Sequence, residues 1–121
     1  MDRLKNRSDF LRAQRGIRRV TPGLTLEICT NPDASGPRVG FTATRKIGGA
    51  VVRNRAKRRL RALAAEILPL CGLPGTDYVL VARQDTVTRP FESLKADLAQ
   101  ALRAGHLKLA NLRQDPAGDV R

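Results

Sequence analysis

Residues 38–61 (RVGFTATRKIGGAVVRNRAKRRLR) hold nine Lys and Arg side chains and no Asp or Glu. In the rest of the chain the 14 basic residues barely outnumber the 11 acidic ones, so three quarters of the net charge of +12 falls in this block. Cationic groups at this density repel one another unless a polyanion lies against them. The block therefore predicts a nucleic-acid-binding surface.

The segment RNRAKRRLR at 53–61 has the spacing of a helix with a basic face. Arg53, Lys57 and Arg61 lie on one i, i+4 ridge and rise about 6 Å per step, which is close to the phosphate spacing along an RNA strand. Guanidinium groups bind phosphate oxygens through two parallel hydrogen bonds. A helix face that is merely solvated usually mixes charges of both signs, so the absence of acids here favours RNA. Asn54, a poor helix former, offers its amide to a 2′-hydroxyl, a base edge or a metal-bound water.

Side chains for acid–base or nucleophilic catalysis do not converge in this sequence. Such chemistry needs paired carboxylates, a Cys–His pair or a metal cluster, whereas the acids here are scattered without D-x-D or E-x-x-H spacing. His106 falls in a C-terminal amphipathic segment and is predicted to be structural or solvated. Cys29 and Cys71, with His106, are too few for a metal site, and both thiols are predicted to be buried and free. The polypeptide alone is not predicted to be catalytic.

Length and composition exclude several other classes of protein. A chain of 121 residues with 41% apolar content predicts one folded domain. No apolar run is long enough to span a membrane, and the N-terminal segment lacks the apolar core of a secretion signal, so a cytoplasmic location is predicted. The basic helix is not suited to lie on a lipid surface, because its apolar arc is narrow and carries no Trp or Phe.

Local patterns predict the secondary structure before the basic helix. Ser8 is the predicted N-cap of a short helix that ends at Gly16. Alternating side chains predict half-buried strands over 20–30 and 38–45, and the turn-forming residues 31–37 between them predict a hairpin.

The second half of the chain is predicted to add two helices and a buried strand. The main helix runs over 50–68 and stops at Pro69, and its apolar arc consists of Val52, Ala56, Leu60, Leu63 and Ile67. Continuous apolar character at 77–83 predicts a strand buried on both faces. A last helix follows over 89–109. The order α-β-β-α-β-α predicts an α+β fold, an α/β sandwich, with a single domain at 1–112 and a flexible tail at 113–121.

In residues 38–61 the chain resembles the bacterial ribonuclease P protein subunit. The strand RVGFTATRK leads through a glycine-containing loop into AVVRNRAKRR, as in that family. The first helix with Phe10, the DYVLVAR strand and the closing helix after Pro90 resemble the family as well. The resemblance implies about four strands and three helices in the order α-β-β-β-α-β-α, with a left-handed β-α-β crossover through the basic helix. Periodicity alone favours the common right-handed crossover.

The resemblance also implies a function. In that family the catalytic subunit is an RNA that binds Mg²⁺ and hydrolyses the phosphodiester at the end of the 5′ leader of precursor tRNA. The protein is a cofactor that docks on this RNA and holds the leader. It contributes to an endoribonuclease as a subunit, with no organic cofactor, no metal of its own, no membrane and no obligate protein partner.

Carried over residue by residue, the resemblance predicts two surfaces. The surface facing the catalytic RNA comprises Arg45, Lys46, Arg53, Asn54, Arg55, Lys57, Arg58, Arg59 and Arg61. The leader-binding cleft comprises Phe10, Arg38, Thr42 and Thr44, with a simple core role as the alternative for Phe10. Many relatives carry a second aromatic in the first helix and another in the following strand, and the nearest residues here are Gln14 and Glu27. Weaker stacking of the leader is therefore expected, and Glu27 would repel phosphates if it faced the cleft.

Two other nucleic-acid functions fit the same charge pattern. A non-catalytic structural RNA-binding protein, ribosomal or assembly factor, would share the basic helix but stimulate no cleavage. A DNA-binding module is disfavoured, because the helix is basic around most of its girth rather than exposing a few base-reading side chains.

Overall fold

Helices cover both faces of a mixed five-stranded sheet in the computed structural model, which describes the backbone of residues 1–118 and the side chains of residues 1–112. The elements are β1 (Asp2–Arg3), α1 (Arg7–Gln14), β2 (Ile17–Val20), β3 (Leu24–Thr30), β4 (Arg38–Thr42), α2 (Ala50–Cys71), β5 (Thr76–Ala82) and α3 (Phe91–Gly118). Short 3₁₀ helices at Arg45–Ile47 and Gln84–Thr86 follow β4 and β5. The predicted α+β class with three helices is confirmed, and the sheet has one strand more than expected.

The strand order is β1-β4-β5-β3-β2, so β5 is central. Leu80 of β5 pairs with Leu26 of antiparallel β3 on one side and with Phe41 of parallel β4 on the other. The predicted hairpin of β3 with β4 is therefore wrong, because β5 lies between them. The physical reason is the apolar character of β5 on both faces, which is best buried at the middle of a sheet covered on both sides.

Parallel pairing of β4 with β5 requires a crossover connection, and α2 supplies it. This is the β-α-β unit that the resemblance implies, while its left-handed sense stays a prediction. The N-terminal segment adds the short parallel strand β1 beside β4, and β2 pairs antiparallel with β3 at the opposite edge.

Each face of the sheet has its own apolar cluster. On one face, α2 and α3 pack Leu60, Leu63 and Leu98 against Leu26 and Leu80, all fully buried. On the other face, α1 covers a smaller cluster formed by Leu4, Ala13, Cys29 and Val79, with Phe10 and Val81 partly buried at its margin. The second face is thus only partly covered, and a cleft remains beside α1.

The helix ends differ from the sequence predictions. The N-cap of α1 is Asn6 rather than Ser8. Pro69 lies inside α2, which continues to Cys71, because the hydrogen bond that proline removes and the crowding of its ring against the carbonyl four residues earlier affect only the end of the helix and leave the preceding turns intact. The last helix extends to Gly118. The flexible tail predicted at 113–121 stays a prediction, and residues 119–121 lie outside the described residues.

The two cysteines and the histidine lie in different surroundings. Cys29 is buried, but Cys71 is exposed, contrary to prediction, because it ends α2 beyond the last buried residue of that helix, Leu68. His106 is half-buried, with its Nε2 atom 2.7 Å from the hydroxyl of Tyr78. No helix within residues 1–118 combines the length and apolarity needed to cross a membrane.

Candidate nucleic-acid interface

The basic helix α2 and the 3₁₀ helix before it form one cationic surface. Its exposed members are Arg45, Lys46, Asn54, Arg55, Arg58 and Arg61, and its half-buried members are Arg53, Lys57 and Arg59. In the described part of the chain none of the eight cations takes part in an ion pair; the salt bridges involve other Lys and Arg residues. The positive potential of this surface, which we call the α2 surface, is therefore not neutralised by the protein.

Two adjacent glycines set the start of α2. Gly48 has φ of 145°, a conformation that other residues rarely adopt, and so turns the chain from the 3₁₀ helix into α2. Gly49 is the N-cap, and its carbonyl accepts a hydrogen bond from the backbone N–H of Arg53 at 2.9 Å. The first turn contains no acid, so the positive end of the helix dipole adds to the charge of the side chains.

Two members of the α2 surface also have structural roles. One terminal nitrogen of Arg59 donates to the backbone carbonyls of Thr86 at 2.6 Å and Val87 at 2.9 Å, which ties α2 to the chain after β5. The Nε atom of Arg53 is buried without a hydrogen-bond partner. The resemblance predicted both side chains for the surface facing the catalytic RNA, but their surroundings are partly those of the protein interior.

A cleft of ≈ 460 Å³ lies between α1 and β4. Phe10, Leu11 and Gln14 of α1 line one side, and Thr42 lines the other. Three cations surround the opening, namely Lys5, Arg7 and Lys57. The α1 cleft, as we call it, thus combines an apolar wall with a basic rim.

Phe10 lies directly on the backbone of Gly40. A Cβ atom at Gly40 would come within 2.6 and 2.7 Å of the Phe10 ring, so only glycine permits this approach. Phe10 is half-buried and packs at the margin of the smaller apolar cluster. It is therefore both a packing residue and part of the cleft wall.

Of the four residues predicted for the leader cleft, the structure brings Phe10 and Thr42 together. Thr44 instead lines a separate cavity with Lys46 and Arg83. Arg38 lies outside the α1 cleft, in an ionic cluster. Lys57, which the resemblance predicted for the catalytic-RNA surface, also lines the cleft.

Arg38 joins α1 to the centre of the sheet. Its Nε and Nη2 atoms donate to the two carboxylate oxygens of Asp77 at 2.8 and 2.7 Å, and its Nη2 atom lies 3.4 Å from Asp9 of α1. Arg12 adds a contact of 3.2 Å to Asp9, and Asn31 donates to Asp77 at 3.3 Å. Hydrogen bonding to Asp77 raises the pKa of Arg38. This cluster fixes α1, and with it the Phe10 wall of the cleft.

Glu27 lies on the sheet face that α1 covers, between its cross-strand partners Arg18 and Val79, and is 7% exposed. Burial raises the pKa of Glu27, and Arg18 opposes this shift. Glu27 does not line the α1 cleft, so the condition under which it was expected to repel phosphates, that it faces the cleft, is not met.

Lys5 and Arg7 are cleft residues that the sequence reasoning missed. Their signal was their position, since they are basic residues immediately before the helix that carries Phe10. Among residues 1–112, whose side chains the structure describes, no three His, Cys, Asp or Glu side chains are grouped as a metal site would require.

Comparison with known proteins gives the family. Residues 1–105 match the family model described as Ribonuclease P. The chain belongs to the ribonuclease P protein family. The ribonuclease P protein component of Ruegeria pomeroyi is 49% identical over 106 residues, which cover 85% of each chain. That of Paramagnetospirillum magneticum is 42% identical over 123 residues, covering 96% of this chain and 92% of the relative.

A solved structure supports the assignment. The Staphylococcus aureus RNase P protein superposes with a TM-score of 0.71 at 25% identity, covering 86% of this chain and 94% of that one. The resemblance inferred from residues 38–61 is thereby confirmed. Membership of the ribonuclease P protein family implies a role in tRNA 5′-end processing, as the protein component of an endoribonuclease.

Proposed function

We propose that this chain is the protein cofactor of ribonuclease P, which docks on the catalytic RNA through the α2 surface and binds the 5′ leader of precursor tRNA in the α1 cleft. The observation that carries this proposal is the adjacency of the two surfaces. Lys57 belongs to the α2 surface and also lines the cleft that holds Phe10. One protein can therefore contact both RNAs and promote removal of the leader.

Support for catalytic-RNA binding comes from charge without internal compensation. The cations of the α2 surface have no carboxylate partners in the described structure, and guanidinium groups bind phosphates bidentately. By neutralising phosphates, these cations would reduce repulsion between the two RNAs and lower the Mg²⁺ concentration needed, with Mg²⁺ held mainly by the RNA. Asn54 is exposed beside them, and its amide would contact a 2′-hydroxyl, a base edge or a metal-bound water.

Support for leader binding comes from the shape and lining of the α1 cleft. A cleft of ≈ 460 Å³ with one aromatic wall and three rim cations suits a single strand, whose bases stack on aromatic rings while its phosphates meet Lys and Arg. Because Gln14 lines the cleft where the resemblance leads us to expect a second aromatic, we expect phosphate contacts to contribute more of the leader affinity here than stacking does.

The test is cleavage of precursor tRNA by a bacterial ribonuclease P RNA at low Mg²⁺, with and without the protein. We expect a mature 5′ end only when both are present. Tight RNA binding with unchanged cleavage, across several bacterial RNA subunits, would replace this proposal with a purely structural RNA-binding role. Affinity for the catalytic RNA should also fall with a log–log salt slope of several units, if about 6 to 8 phosphates are contacted.

Matched variants separate the two surfaces. Arg55→Glu should weaken docking on the catalytic RNA, whereas Arg103→Glu, the same change at an exposed position of α3, should have little effect. Phe10→Ala should lower the affinity only for substrates that carry a leader. Equal loss of affinity for leaderless substrates would contradict the assignment of the cleft.

A further inference from the structure

A second cleft, of ≈ 370 Å³, lies between β1, β4 and α2. Phe41 on its floor belongs to the apolar cluster shared with α2, whereas the adjacent Gly40 lies beneath Phe10 on the opposite face. Ala64, Ala65 and Pro69 of α2 form the facing wall. Phe41 also lines the α1 cleft, so the two clefts are neighbouring spaces that share this side chain.

Cations mark the rim of this second cleft. Arg3 of β1 and Arg61 of α2 both line it, both are exposed, and neither takes part in an ion pair in the described structure. The guanidinium carbon of Arg3 lies 5.0 Å from the centroid of the Phe41 ring. This cation–π contact holds a planar guanidinium over the floor.

The lining suits a group that is planar and apolar at one end and anionic at the other. The alanines of α2 leave room that larger side chains would fill, and a guanidinium plane is a surface on which unpaired RNA bases stack. Arg61 lies one helical turn beyond Lys57, about 6 Å along the same ridge. Since Lys57 lines the α1 cleft, the cationic ridge connects the two clefts.

We propose that the second cleft binds one unpaired nucleotide of RNA, with its base against Arg3 and the alanine wall and its phosphate on Arg61. The inference rests on the proposed function in that RNA is the ligand. The nucleotide belongs either to the catalytic RNA or to precursor tRNA, and the two arms of the experiment distinguish them.

The test fills the cleft without changing charge. Ala65 is exposed on α2, so Ala65→Leu should preserve the helix while occupying the space for the base; Ala62→Leu is the matched control, exposed on the same helix outside the cleft. Arg3→Ala, at an exposed position, tests the cleft from β1. Each full-length variant is titrated with ribonuclease P RNA, and each holoenzyme with precursor tRNA. Cross-linking to 4-thiouridine-substituted RNA locates the contact.

We expect Ala65→Leu and Arg3→Ala each to lower the affinity for either ribonuclease P RNA or precursor tRNA by about 5- to 100-fold, the effect of losing one stacked base. Ala62→Leu should stay within about twofold of the unmodified protein. Cross-links to the peptide containing residues 61–69 should disappear in Ala65→Leu.

One contrary result is that Ala65→Leu and Ala62→Leu bind both ribonuclease P RNA and precursor tRNA equally well while the protein still stimulates cleavage. That result would overturn nucleotide binding in the second cleft and leave the proposed function standing. Conversely, loss of affinity in Ala65→Leu without any stimulation of cleavage by the unmodified protein would support the nucleotide site and refute the cofactor role. If Ala65→Leu does not fold, unchanged affinities in Arg3→Ala overturn the proposal.

Discussion

Replacement of Arg38 by alanine should destabilise this protein strongly, although Arg38 lies in its most basic segment. The carboxylate of Asp77 is 0% exposed, and Arg38 supplies both of its short charged hydrogen bonds, at 2.8 and 2.7 Å. Removing the guanidinium leaves a buried negative charge without its main partner, which costs about 3–5 kcal/mol in comparable pairs.

The lower end of this range applies here. Asn31 at 3.3 Å and Arg12 at 3.9 Å remain near Asp77, and the Arg38 side chain is itself 21% exposed, so water reaches part of the cluster. We therefore expect a loss of about 3 kcal/mol. For a chain of this size that corresponds to a fall in Tm of about 12 °C.

The assay is thermal unfolding followed by circular dichroism, with Arg55→Ala as the control. Arg55 is exposed and takes part in no ion pair of the described structure, so its removal should change Tm by no more than about 2 °C. Adding Asp77→Asn to Arg38→Ala should recover part of the loss, with a coupling of about 1–3 kcal/mol. A decrease in Tm smaller than about 4 °C would refute the assignment of Arg38 to the buried pair. Strictly additive effects of the two substitutions on stability would refute it as well.

Three further predictions concern other buried polar groups. Burial raises the pKa of Glu27, so the folded state loses stability as pH rises from the ordinary glutamate range through the raised pKa. Glu27→Gln should therefore be more stable than the unmodified protein at pH 7, and the difference should shrink toward pH 4. A lower Tm for Glu27→Gln than for the unmodified protein at pH 7 would contradict this. Burial lowers the pKa of His106, so the folded state has its full stability above the ordinary histidine pKa and loses stability as pH falls through the lowered one. In urea titrations His106→Gln should remove that acid-side loss, and an unchanged pH profile would argue against it. Arg59→Ala should cost about 1.5–3 kcal/mol, because its guanidinium binds two backbone carbonyls, whereas Arg58→Ala, exposed one residue earlier, should leave Tm unchanged but weaken RNA binding; equal melting of the two variants would show that the carbonyl contacts contribute nothing.

Local signals in the sequence predicted much of the fold and the outline of the interface. Helix periodicity and the glycines at 48–49 predicted the start and buried side of α2, because amphipathic spacing is a property of neighbouring residues. The continuous apolar run of β5 predicted a strand buried on both faces. The absence of acids at 38–61 predicted an uncompensated basic surface, since charge density can be counted without knowing the fold.

Only the tertiary structure decided which residues meet. β5 enters the sheet between β3 and β4, and local alternation cannot choose among strand partners far apart in the chain. Arg38 meets Asp77 across 39 residues and is thereby withdrawn from the α1 cleft, while Lys57 reaches the cleft from another helix. The sequence by itself determined that this chain carries a strong cationic surface, because charge is local. Which of its cations stay exposed and unpaired and which bind the protein depended on burial and long-range pairing, which exist only in the folded chain.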